Sequence, residues 1–90
     1  MLKAKYIHED YGNDFSQKNC KEHLKLNCEY EVESVWMGRF STTIGLKDFQ
    51  KIPFNSVHFI FIEDGKEIDI YKDPRYNLYL RKKGEINGIN

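Results

Sequence analysis

No stretch of this chain approaches the roughly 18 consecutive apolar residues that a membrane-spanning helix requires, and the opening MLKAKYIHEDYG lacks the apolar core of an export signal. A cytoplasmic setting with no membrane partner is the expectation. Cysteine is scarce, with only Cys20 and Cys28, and without an export signal both are expected to remain thiols rather than pair. Charge of a prevailing sign is missing too. Fourteen Lys and Arg offset fourteen Asp and Glu, which removes the long-range field that draws cationic domains onto nucleic acid or anionic membranes. Neither half of the chain is acidic or basic, so any such binding must come from a local patch. Also absent are a nucleophile elbow, a phosphate-cradling glycine loop and a metal-binding histidine pair. The expectation is a protein that is not an enzyme and carries no cofactor.

Aromatic residues are what the chain does have. Six Phe, six Tyr and one Trp in 90 residues give a single small domain the means to build a thin core, since each ring buries about 150–250 Å² when enclosed.

The apolar residues mostly recur with a period of two, which places alternate side chains on opposite faces of a strand. Leu2, Ala4 and Tyr6 alternate with Lys3 and Lys5, predicting a first strand. From His8 to Asn19 the chain turns polar, predicting a loop with a helical turn from Phe15 to His23. LNCEYEVESVWM is the clearest alternation, with Cys28, Tyr30, Val32 and Trp36 on one face and Glu29, Glu31 and Glu33 on a wet acidic one. A turn near Gly38 leads to STTIGL, with Thr42, Ile44 and Leu46 together. Pro53 lacks a ladder donor and reads as part of a crossing loop. SVHFIFI is apolar on both faces, as a central strand is. Asp64-Gly65 predicts a tight hairpin turn, followed by Ile68 and Ile70 facing inward. RYNLYL, residues 75–80, alternates again as a last strand, and residues 82–90 read as a frayed tail. Five or six short antiparallel strands at this length predict a mainly β fold, a small barrel over residues 1–90.

The runs LKLNCEYEVESV, STTIGLKDF and FNSVHFIF resemble those of small SH3-like β-barrel proteins of Gram-positive bacteria and their phages. The likeness spans Leu2 to Phe61 and includes a tight turn at Asn27 and the entry Phe54-Asn55-Ser56. It implies a fold and carries no site residues.

Candidate sites are few. DPRYNLYLRKKG sets tyrosines among basic residues, and with Leu78 and Leu80 as anchors a strip of Arg75, Tyr76, Tyr79, Arg81 and Lys82 becomes the candidate binding surface. Bases stack on aromatics and phosphates pair with cations, so the strip suits nucleic acid or a nucleotide; the other reading is solubilising charge on an edge strand. Trp36 is expected in the core, the alternative being a place at the barrel mouth with Phe40, as aromatics have in grooves that take Pro-rich peptides. Cys20, His23 and Cys28 have the spacing of three metal ligands, to which zinc would want a fourth such as His8 or His58; the plain reading puts Cys28 in the core and Cys20 and His23 in a loop. His58 reads as a satisfied core or edge histidine. Together these features predict a non-catalytic binding protein whose partner is a protein, of the kind a phage or mobile element uses to modulate its host, with nucleic-acid binding as the alternative and self-association open.

Overall fold

The computed structural model describes residues 1–77 and Leu80. Its elements are β1 (Leu2–Tyr6), α1 (Asp14–His23), β2 (Glu29–Met37), β3 (Thr42–Leu46), β4 (Pro53–Asn55), β5 (Phe59–Glu63) and β6 (Lys66–Ile68), with 3-10 turns at Lys47–Phe49, Ser56–His58 and Ile70–Lys72. The six strands form one antiparallel sheet in the order β4-β3-β2-β1-β5-β6. The fold is mainly β, as the alternation predicts, but the sheet does not close into a barrel. β4 and β6 end the sheet as three-residue strands. Pro53, expected in a loop, opens β4 opposite Gly45, a place where a residue without an N–H is tolerated.

One face of the sheet carries the core. Leu2, Ala4 and Tyr6 are buried, as are Ile44, Leu46, Phe54, Phe59, Phe61 and Ile70. The aromatics meet edge to face or tilted, with Phe54 6.4 Å from Phe59, and Phe59 5.9 Å from Tyr6 and 6.4 Å from Phe61 between ring centroids. Offset and edge-on approaches of this kind suit the ring quadrupole.

α1 closes part of that face. It is a full ten-residue helix rather than a single turn. Asn13 caps it, its Oδ1 accepting from Ser16 N at 2.8 Å, and Asp14 in the first turn with Lys21 and His23 in the last suit the helix dipole. A helix this polar owes its place to tertiary contacts. Cys20 is fully buried beneath it, the His23 ring meets Phe49 and Phe54 edge-on, and Asn19 Nδ2 donates to the Pro53 carbonyl at 2.9 Å.

His58 lies in a 3-10 turn, not in the strand that its apolar neighbours suggest. It is fully buried and satisfied. Its Nδ1 donates to the His8 carbonyl at 2.8 Å, Nε2 is 3.0 Å from Ser16 Oγ, and its own carbonyl accepts from Ile7 N and His8 N. Gly12 passes directly over this contact with φ +74°; a Cβ there would collide with Ser16 Oγ and lie 3.0 Å from His58 Nε2. Both the backbone conformation and the space call for glycine.

The two cysteines exchange the environments expected of them: Cys20 is buried and Cys28 exposed. Helix formation turns Cys20 inward, while Cys28 precedes β2, after Asn27 takes a left-handed turn at φ 69°.

Candidate functional site

β2 is the strand that places the candidate surfaces. Its first part pairs with β1, Glu31 opposite Lys3, and the remainder pairs with β3. Between Val32, opposite Leu46, and Ser34, opposite Gly45, β2 has one residue more than its partner. Glu33 is that extra residue, a β-bulge. Gly45 accommodates the result, because a Cβ there would lie 2.5 Å from Ser34 Oγ.

The bulge moves every later residue of β2 to the other face. Val35 and Met37 therefore pack against the core, and Trp36, expected inside, is 75 % exposed. Phe40, in the turn that follows, is 93 % exposed, and Arg39 between them is exposed as well. Gly38 N donates to the Ser41 carbonyl at 2.9 Å, which closes the turn. The β2–β3 tip thus presents two large aromatics and a guanidinium to solvent. The sequence holds a signal for this in the small pair Ser34 and Gly45, which alternation alone passes over.

Of the predicted strip, Arg75 and Tyr76 are described, whereas Tyr79, Arg81 and Lys82 lie outside the described residues, as do residues 83–90. Residues 74–76 form a turn rather than the start of a strand. Asp73 organises it, its Oδ1 accepting from Arg75 N at 2.9 Å and its carbonyl from Tyr76 N and Asn77 N. Arg75 Nη2 is 2.6 Å from both Glu63 Oε1 and Asp73 Oδ2, and Tyr76 donates its hydroxyl to Glu63 Oε2 at 2.7 Å. The guanidinium also lies 5.2 Å from the Tyr76 ring centroid.

Charges respond accordingly. The Tyr76 hydroxyl first, and then Arg75, hold the Glu63 carboxyl below the usual carboxylate range. Arg75 does the same for Asp73. Burial, with the Glu63 hydrogen bond, pushes the Tyr76 phenol up to about 12. One cation between two carboxylates is not a free anchor for phosphate; here it fastens the chain after β6 to the end of β5. A cleft of about 330 Å³ lies beside this latch, lined by Leu2, Val32, Val35 and Tyr76 among others.

The remaining candidates are dispersed. Burial pushes the Cys20 thiol up to about 11, which keeps it protonated and unreactive. His23 Nδ1 donates to the Asn19 carbonyl at 2.9 Å. Among the described residues, no group of three His, Cys, Asp or Glu side chains is placed to hold a metal ion. On the acidic face, Glu29 and Glu33 are exposed, while Glu31 pairs with Lys47 at 3.4 Å. Among the same residues, no helix is long and apolar enough to cross a membrane.

Comparison with curated proteins and with solved structures gave no match. A family model described as bacteriophage T4 protein Y07B matches residues 1–82, and the chain belongs to that family.

Proposed function

We propose that this member of a bacteriophage T4 protein family is a non-catalytic binding protein that acts in the cytoplasm as a host-modulating factor and docks a protein partner through its β2–β3 tip. The observation that carries the reading is the exposure of Trp36 and Phe40 on either side of Arg39. Large aromatics and arginine are the residues that most often dominate the energy of protein interfaces. Phage association supports the host-modulating part of the reading. A relation to SH3-like domains of Gram-positive bacteria and their phages belongs to the same proposal, supported by β2 being shared between the two halves of the sheet.

Nucleic-acid binding through Arg75, Tyr76, Tyr79, Arg81 and Lys82 has less support, because Arg75 is already paired with Glu63 and Asp73.

A photo-crosslinking residue in place of Phe40, used in lysate of infected cells, tests the proposal. Capture of a protein by the crosslinking chain, with competition by the unlabelled parent and none by Trp36→Ala with Phe40→Ala, is the expected result. Equal competition by the tip variant, or competition lost instead on Arg81→Glu with Lys82→Glu, overturns it.

A further inference from the structure

A groove of about 420 Å³ opens where β5 and β6 part ahead of the Ile70–Lys72 turn. Its lining includes Ile60, Ile68 and Tyr71 as apolar surface, with Glu67 and Asp69 as carboxylates, while Lys66 and Lys72 are not part of it. The volume lies within the ~300–1,000 Å³ of typical ligand clefts. The tip offers the opposite set: Trp36, Phe40 and one cation, Arg39. We infer that the β2–β3 tip of one copy docks into the β5–β6 groove of a second copy, the aromatics against Ile60, Ile68 and Tyr71 and Arg39 toward Glu67 and Asp69. This rests on the tip being a protein-docking element and names its partner as the chain itself.

Two consequences follow from geometry. Tip and groove are different surfaces, so each docked copy leaves a free tip at one end and a free groove at the other, and the contact is heterologous, propagating into open chains or rings. Two rings bury about 300–500 Å², against roughly 800 Å² per partner in a standard stable interface. The association is therefore weak, and visible only as concentration rises.

Sedimentation of the intact chain from micromolar to millimolar concentration is the test. The expected result is an average mass that climbs with concentration past the dimer. Trp36→Ala with Phe40→Ala removes the climb, and Arg39→Glu or Glu67→Lys alone reduces it at least several-fold. Mixing the last two variants restores the climb, because each tip then finds a matching groove on the other variant: the acidic tip of the first meets the altered groove of the second, and the unaltered Arg39 tip of the second meets the unaltered groove of the first. Circular dichroism verifies that each variant is folded. A dilution series of the parent chain followed by amide NMR needs no variant, and shifts should cluster at residues 36–40 and 67–71. A monomer at every concentration, or association indifferent to the tip variant and the charge swap, overturns the inference. If the monomeric parent still captures a foreign protein through its tip, the wider reading stands and only self-docking falls; if tip variants change neither, both fall.

Discussion

The end of the sheet beneath α1 and the β2–β3 tip are built from the same kinds of residue and treat them in opposite ways. Under the helix, Tyr6, Phe54 and Phe59 are buried to within 5 % exposure and His58 is enclosed with both ring nitrogens partnered. At the tip, Trp36 and Phe40 are exposed. Strand propensity does not separate the two regions. The difference lies in what stands over each strand: α1 and the loop through Gly12 cover one end, and the phase change at Glu33 points Trp36 away from the core at the other. The docking proposed above rests on these large rings left outside so small a core.

The widest gap between the regions is in stability. Phe54→Ala is expected to cost about 3–5 kcal/mol, a large share of the ~5–15 kcal/mol that holds such a domain together; urea unfolding measures it, and a loss below about 1 kcal/mol would erase the contrast. Next comes Gly12→Ala. Left-handed backbone costs a residue with a Cβ about 1–2 kcal/mol, and at Gly12 the collision with Ser16 and His58 adds to it. Gly65, at φ +80° in open space, pays only the backbone part, so Gly12→Ala should destabilise more than Gly65→Ala; equal losses would mean that the packed end is looser than its contacts imply.

Tyr6→Phe should act in the other direction. The Tyr6 hydroxyl is buried without a hydrogen-bond partner among the described residues, and burial pushes its phenol up. Removing it is expected to raise stability by about 1 kcal/mol, again by urea unfolding, and a loss on substitution would reveal a partner for the oxygen. Smaller still is the effect of Arg75→Ala, and it depends on pH. The Glu63 and Asp73 carboxyls are held below their ordinary values in the fold, so their contribution is complete above the unfolded range near ~4 and is lost as pH falls through the lowered folded values. The urea midpoints of parent and variant should differ at neutral pH and converge in acid. Smallest is Trp36→Ala, expected within about 0.5 kcal/mol of the parent; a larger loss would return Trp36 to the core.

Where alternation runs uninterrupted the sequence is a reliable guide. β1, β3 and the Asp64-Gly65 turn, both of whose residues have positive φ, follow from period and turn chemistry. The tight turn at Asn27, expected from the resemblance alone, is left-handed. α1 is less legible, because its residues are polar and Cys20 is its one buried side chain; what ties it to the fold, through Ser16, Asn19 and His23, is tertiary, and without those partners there is little to distinguish it from loop. The tip was hidden by a single extra residue, which no count of periods registers. The reversal of Cys20 and Cys28 has a similar origin, since each position depends on where an element begins. Arg75 and Tyr76 were legible as a cation beside an aromatic. That Glu63 answers both was not, because the contact joins residues brought together only by the β5–β6 hairpin.

The bulge at Glu33 also makes the two ends of β2 independently addressable. Removing that one residue would exchange odd for even beyond it, sending Trp36 inward and Val35 and Met37 out, with no change in the side chains themselves. The docking surface proposed for this hairpin is thus written in the parity of a strand as much as in its composition. A lineage that shortened β2 by one residue would keep every aromatic and lose the surface.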